Sequence, residues 1–146
     1  MNTATNTAWL IAIDGSAPSL KVIDYVISEA TSRVTRPDLY LVNVQAPLST
    51  DITRFIDDKV VTDFHREAGA AALAQASQKL DAAGLAYSAH VMMGGAAQTI
   101  VDFAKDKNCH QIVMGAHGFG SVVGLLLGSV TTKVMKLSTV PVLVVK

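Results

Sequence analysis

The chain has 146 residues, half of them hydrophobic, and its 12 basic and 12 acidic residues give a formal net charge of zero. This length predicts one domain over residues 1–146, and the single cysteine, Cys109, excludes an intrachain disulfide and a cysteine-rich metal site. The balanced charge argues against a nucleic-acid partner, and the lack of a signal segment or a long apolar run predicts a cytoplasmic protein that does not insert into a membrane.

The first half of the chain alternates apolar runs with amphipathic segments. Residues 9–13 and 39–44 are short apolar runs that predict buried strands, and residues 45–58 predict a loop. Between the two strands we expect a helix whose N-terminus is capped by Ser16 or Ser19. Its apolar stripe repeats every three or four residues and consists of Leu20, Ile23, Ile27, Ala30 and Val34.

The second half repeats the same alternation. An Ala-rich helix over about 58–83 is expected to stop at Gly84, and strands are expected at 87–93, 111–114 and 140–146. Two more helices are predicted from apolar stripes formed by Ala97, Ile100, Val101 and Ala104 and by Val130, Val134 and Leu137. Alternating strands and helices predict a doubly wound parallel sheet, in which ligands bind beyond the carboxyl ends of the strands.

The most informative segment is a glycine-rich stretch between the fourth strand and the last helix. Five glycines lie within fourteen residues, at 115, 118, 120, 124 and 128. Glycine lets backbone N–H groups approach an anion closely, and a helix starting at Gly128-Ser129 would direct its unpaired N–H groups at the same anion. The stretch therefore predicts a cradle for linked phosphates. It matches neither a Walker P-loop nor the dinucleotide fingerprint of dehydrogenases.

The spacing Gly115-x2-Gly118-x9-Gly128-Ser129 resembles the ATP-binding motif of universal stress proteins of the UspA type. The similarity covers nearly the whole chain, through the segments IAIDGS, LYLVNV, IVMGAHG and GSVTTKVMKLSTVPVLVVK. The resemblance implies a five-stranded parallel sheet in the order 3-2-1-4-5 with helices on both faces. It also implies a homodimer that pairs through the C-terminal strand.

The same resemblance implies which residues contact ATP. Ala12, Ile13 and Asp14 would line the end of the first strand, and Val44 would pack on the adenine. The contacts to the ribose and the phosphates would come from Met114, Gly115, His117, Gly118, Gly128, Ser129, Val130 and Thr131. In the ATP-binding branch Mg²⁺ or Mn²⁺ accompanies the phosphates, but the glycine loop holds no obvious carboxylate for it, and we assign no residue as a metal ligand or as catalytic.

Several of these residues also have purely structural explanations. Asp14 could brace a turn, and Ser129 could be the N-cap of the last helix. His117 has no supporting Ser, Cys or Asp partner at a suitable spacing, which favours a ligand contact over catalysis. Cys109 is expected to be a packed thiol. The remaining histidines form no metal-binding pattern and are expected on the surface or with satisfied nitrogens, at His65, His90 and His110.

Three functions are compatible with this sequence. The leading hypothesis is an ATP-binding regulatory protein of the stress response that acts as a nucleotide-dependent switch. The second is a slow ATPase or a phosphotransferase, for which only Asp14, His117 and Lys133 are available as reacting or charged groups. The third is an interaction module that keeps the fold and binds no nucleotide.

Overall fold

A computed structural model gives the fold over residues 6–119 and 126–146. Its strands are β1 (Ala8–Ala12), β2 (Asp38–Gln45), β3 (Ser88–Met93), β4 (Gln111–Gly115) and β5 (Val142–Val145). Its helices are α1 (Ala17–Thr31), α2 (Thr50–Thr53), α3 (Asp58–Ala82), α4 (Ala96–Asp106) and α5 (Ser129–Leu137). All strand pairs are parallel and the order is β3-β2-β1-β4-β5, which confirms the expected sheet.

The sheet separates two hydrophobic cores. Side chains of the central strand β1 alternate between them, because successive residues of a strand point to opposite faces. Trp9 and Ile11 join the core under α1 and α3, whereas Leu10 joins the core under α4 and α5. β1 and β4 are neighbours whose following helices lie on opposite faces, so a crevice forms where the two strands end.

Helix α1 starts as predicted but ends earlier. Ser16 is its N-cap, and the Ser16 side chain accepts a hydrogen bond from the Ser19 backbone N–H at 3.4 Å. The helix stops at Thr31, so the expectation that Val34 continues its apolar stripe is wrong, and Val34 is fully exposed. Thr31 and Ser32 explain the stop. Their hydroxyls donate to backbone carbonyls of the last turn, so these carbonyls are satisfied without a further turn of helix.

The segment after β2 is also more ordered than the sequence suggests. The expectation of a loop over residues 45–58 is partly wrong, because β2 extends to Gln45 and the short helix α2 lies within the segment. Ser49 caps α2 by accepting from the Ile52 backbone N–H at 3.4 Å. The long helix α3 and its stop are confirmed, because Gly84 follows it with a φ of +68° that favours glycine.

The last two elements differ from the prediction in the face they bury and in length. Val134 is buried, but Val130 and Leu137 are each 39% exposed, so the predicted stripe of α5 is only partly correct. Thr131 occupies the second buried position, because its hydroxyl donates to the Gly115 carbonyl at 2.8 Å. The final strand spans only β5, shorter than the expected 140–146. Among the described residues, no helix has the length and apolar character needed to cross a membrane.

Candidate functional site

A cleft of about 100 Å³ lies beyond the carboxyl ends of β1 and β4, at the crevice between α1 and α5. Nine of the twelve site residues expected from the sequence line it: Ala12, Ile13, Asp14, Val44, Met114, Gly115, His117, Val130 and Thr131. The sequence reasoning missed four other lining residues, which are Ser19, Val42, Ala96 and Ile100. Three expected residues, Gly118, Gly128 and Ser129, lie outside this lining.

The floor of the cleft is apolar. It is built by side chains that β1, β2 and β4 direct to the α4 and α5 face, namely Ala12, Val44 and Met114, with Ile100 of α4 beside them. An apolar floor with few polar groups is suited to a planar ring. The enclosed volume is well below the roughly 300–1,000 Å³ of a complete ligand pocket, so one ring-sized group fits and the remainder of a larger ligand would project from the mouth.

Asp14 stands at the mouth and joins two segments that are far apart in sequence. One carboxylate oxygen, Oδ1, accepts from the Ser16 backbone N–H at 2.8 Å, and Oδ2 accepts from the Phe119 backbone N–H at 3.1 Å. The first contact braces the turn before α1, as the structural explanation supposes. The second ties the end of β1 to the glycine loop. Asp14 is also the one described carboxylate that lines the cleft.

Two glycines of the loop stand where a side chain would not fit without rearrangement. A Cβ atom at position 115 would lie 3.2 Å from the His117 carbonyl oxygen and 3.5 Å from the Pro18 carbonyl oxygen. A Cβ atom at position 118 would run into the Oδ2 atom of Asp14. Glycine at both positions lets the backbone pass close to Pro18 and to Asp14 at the mouth of the cleft.

Helix α5 begins without a side-chain cap. Gly128 is its N-cap residue, so the alternative that Ser129 serves as the N-cap is wrong. The Gly128 N–H donates to the Ala116 carbonyl at 2.7 Å, which fixes the helix start against the end of β4. Ser129 and Lys133 line a shallow depression that adjoins the cleft through Val130. The positive end of the helix dipole therefore lies beside the mouth of the cleft.

His117 lines the cleft without any described residue that would orient its ring. Its Nδ1 atom is buried and has no hydrogen-bond partner within the part of the chain that the structure describes. A histidine that acts as a general base is normally held by a second group on its other nitrogen. Over residues 6–119 and 126–146, no three His, Cys, Asp or Glu side chains are grouped so that they could hold a metal ion.

Of the other three histidines, His110 has the satisfied nitrogen expected from the sequence and His65 does not. His110 is satisfied, because its Nδ1 accepts from the Ala8 backbone N–H at 2.9 Å. His90 contacts the Phe103 ring at a centroid distance of 5.0 Å, and burial, with a smaller contribution from the charge of Lys107, lowers its pKa. For His65 the expectation is wrong: the side chain is 4% exposed, and neither ring nitrogen has a partner among the described residues.

Cys109 agrees with its interpretation as a packed thiol. It is 4% exposed and belongs to the core under α4 and α5. Burial raises the pKa of the thiol to about 11, so the reactive thiolate is scarce at neutral pH.

Both the sequence and the fold of this chain match those of known proteins. The model of the universal stress protein family matches residues 8–146. Universal stress protein YxiE of Bacillus subtilis is 30% identical over 144 residues, covering 94% of this chain and 97% of that protein.

Two solved structures have the same fold over nearly their full length. Protein MJ0577 of Methanocaldococcus jannaschii superposes with a TM-score of 0.80 at 26% identity, covering 96% of this chain and 95% of that one. A universal stress protein crystallised in complex with cAMP superposes with a TM-score of 0.72 at 25% identity, covering 96% and 97%.

Proposed function

The chain belongs to the universal stress protein family. From that premise we propose that it is an ATP-binding regulatory protein whose surface or dimer state depends on the nucleotide bound in the cleft. The observation that carries the proposal is the convergence of nine expected contact residues on one cleft beside the start of α5. A structural neighbour that binds cAMP supports an adenine nucleotide as the ligand class.

In this proposal the adenine lies on the apolar floor. Val44 and Met114 supply aliphatic surface from two strands, and Ile100 closes the side formed by α4. Burying one flat ring against such side chains contributes about 25 cal/mol per Å² of apolar surface removed from water. Because the cleft has room for only one ring-sized group, the ribose and the phosphates would extend toward its mouth.

The phosphates lie at the mouth, between the glycine loop and the start of α5. The depression beside it is lined by Ser129 and Lys133 and has no acidic side chain among its described residues, so it favours negative charge. Backbone N–H groups of the first turn of α5 would donate to phosphate oxygens. The carboxylate of Asp14 would repel them unless a cation intervenes. When Mg²⁺ or Mn²⁺ is bound, it would neutralise phosphate charge, and Asp14 is the one carboxylate among the described lining residues that could contact it.

The arrangement favours regulation over catalysis. Phosphoryl transfer requires a positioned nucleophile or water and more positive charge than backbone amides supply. His117 has no described partner to orient it, and Asp14 is already engaged by two backbone N–H groups. Slow hydrolysis of bound ATP is the second candidate, and an ATPase assay on the Gly118→Ala variant separates it from a contaminant, whose activity would persist.

The proposal includes a homodimer and a cytoplasmic location. β5 lies at the edge of the sheet, and its four residues are only partly buried in the single chain. An apolar strand at an open edge presents unpaired backbone groups to another strand. Sedimentation of the purified protein should give twice the mass of one chain, and a monomer at all accessible concentrations would remove the dimer from the proposal.

The direct test is to denature freshly purified protein and identify the released small molecules by chromatography and mass spectrometry. We expect ATP or its breakdown products in the wild-type protein and in Val60→Gln, which changes an exposed residue of α3. Val44→Gln, which places a longer polar side chain on the floor, should release much less. An empty wild-type protein that also shows no heat on titration with Mg·ATP would favour the interaction module instead.

A further inference from the structure

The depression beside the cleft, which we call the outer depression, has a volume of about 280 Å³ and is lined by α4 and α5. Ala96 and Val130 line both the depression and the cleft, so a ligand that extends from the mouth of the cleft enters the depression. With the cleft of about 100 Å³ it reaches the roughly 300–1,000 Å³ of a complete ligand site. No described residue of its lining belongs to β5, so strand pairing through β5 does not involve them.

The charge along this path changes sign. The cleft contains the carboxylate of Asp14 and no lysine or arginine among its described lining residues. Lys133 is the one charged side chain among the described residues that line the outer depression, and it forms no ion pair with any described residue. The first acidic residue of α4, Asp102, accepts a hydrogen bond from Gln98 at 2.8 Å. The outer depression therefore favours negative charge more strongly than the cleft does.

Lys133 can act on the start of α5 because of its position in the helix. It lies one turn after Ser129, and both residues line the outer depression. Side chains of a helix lean toward its N-terminus, so Lys133 reaches back over the turn that has no side-chain cap. Its ammonium group offers phosphate oxygens a full positive charge and three donors, which the helix start by itself does not supply.

We propose that Lys133 makes the site selective for nucleotides with a polyphosphate chain, by binding the phosphates beyond the first. The inference rests on the proposed nucleotide site. The first phosphate is attached to the ribose and lies near Asp14 at the mouth, so it gains nothing from Lys133. The second and third phosphates extend into the outer depression, where the ammonium group contacts them. AMP therefore binds without this contact, whereas ATP binds with it.

The experiment compares the Kd values of the full chain for ATP and for AMP in one buffer that contains Mg²⁺. ATP is titrated in a calorimeter, and AMP is measured by competition against ATP. In Lys133→Met the Kd for ATP should rise about tenfold, whereas the Kd for AMP should stay the same. Lys133→Arg keeps the positive charge and should retain most of the affinity for ATP. Lys136→Met is the matched control, since it removes an exposed lysine of the same helix outside the outer depression and should change neither Kd.

A variant of α4 tests the same depression from its other wall. Gln98→Glu adds an acidic side chain there and should raise the Kd for ATP several-fold without changing the Kd for AMP. Gln78→Glu makes the same change at an exposed position of α3 and should leave both Kd values unaltered. Melting curves check that each variant is folded.

A Lys133→Met protein that binds ATP as tightly as Lys136→Met does would overturn the inference and leave nucleotide binding intact. An equal loss of affinity for AMP and ATP in Lys133→Met would also overturn it, because Lys133 would then not distinguish the length of the phosphate chain. Failure of the wild-type protein to bind ATP is a different result, which would overturn the proposed function and the inference together.

Discussion

Helices α1 and α5 begin at the same edge of the sheet, after the neighbouring strands β1 and β4, but their first turns are built in opposite ways. The start of α1 is closed by its own side chains: Ser16 caps it, and Pro18 removes one N–H group from the first turn. Asp14 accepts from the Ser16 N–H just outside it. The start of α5 has Gly128 at the N-cap and no side-chain cap.

The difference shows which helix start is available to a ligand. The first four N–H groups of a helix have no partner within the helix and must be satisfied from outside. At the start of α1, the Ser16 side chain accepts from one of these N–H groups and Pro18 has none to offer, so an anion would gain few hydrogen bonds there. α5 leaves the same groups to solvent or to a ligand beside the cleft. This difference between the two N-cap residues therefore supports α5, on the opposite face of the sheet from α1, as the helix start that contacts phosphate in the proposed function.

The largest expected effect comes from crowding the open helix start. Gly128→Val should lower the affinity for ATP at least about tenfold, because a branched side chain stands where a phosphate would approach the N–H groups. The fold should remain, with a cost of about 1 kcal/mol for the poorer N-cap. Calorimetric titration and melting curves measure the two effects.

Gly95→Val makes the same change at the N-cap of α4, which also lacks a side-chain cap hydrogen bond. A Cβ atom added to Gly95 would have no atom of the described residues within 4 Å, so the new side chain has room. Gly95 lines the outer depression together with Ser129 and Lys133, so we expect a smaller loss of ATP affinity than in Gly128→Val. An equal loss in both variants would contradict the assignment of the phosphates to α5.

A second variant tests the hydrogen bond that joins Asp14, at the end of β1, to Phe119 in the glycine loop. Gly118→Ala directs a methyl group into the Asp14 carboxylate, so the hydrogen bond to Phe119 should be lost. We expect a loss of about 1 kcal/mol in the free energy of unfolding and a several-fold loss of ATP affinity. Adding Asp14→Ala removes the collision, so the stability losses of the two changes should not add. Additive losses in this cycle would show that the collision does not occur.

Removing the cap of the closed helix should separate stability from binding. Ser16→Ala should lower the free energy of unfolding by about 1 kcal/mol, because the first turn of α1 loses its side-chain acceptor. ATP affinity should stay the same. Chemical denaturation and titration of the same preparation decide this, and a large loss of affinity would mean that α1 also contacts the nucleotide.

Ser129→Ala is the corresponding change at the open helix and has the smallest expected effect. The Ser129 side chain is exposed and does not cap the helix, so stability should change by less than about 0.5 kcal/mol. Loss of one hydroxyl donor should reduce ATP affinity about threefold. A stability loss like that of Ser16→Ala would contradict the contrast between the two helices.

The sequence predicts where the site lies because that position follows from the topology of the sheet. Parallel strands end at one edge, so Asp14, Val44 and Gly115 have to meet there once the strands are recognised. Hydrophobic periodicity also identifies the buried side of α4. It does not show that Ile100 reaches the cleft, because a stripe gives the direction of a side chain and not its depth along the helix axis.

Contacts between distant segments cannot be predicted in the same way. The Asp14–Phe119 hydrogen bond joins residues 105 positions apart, and no local pattern encodes it. The resemblance implies that Thr131 contacts phosphate, and the structure shows its hydroxyl donating to the Gly115 carbonyl. The expectation for Val34 fails for a local reason, since the hydroxyls of the last turn of α1 compete for backbone carbonyls. Such competition depends on side-chain rotamers, which periodicity does not describe.

The central claim is that the base occupies the cleft and the phosphates reach the start of α5. Calorimetric titration with adenosine, AMP, ADP and ATP, at low and at high salt, tests it most directly. We predict measurable binding of adenosine, affinity that rises with each added phosphate, and a gain that shrinks as salt screens the charges. Adenosine binding as tightly as ATP at both salt concentrations, or no binding by any of the four, would contradict the account.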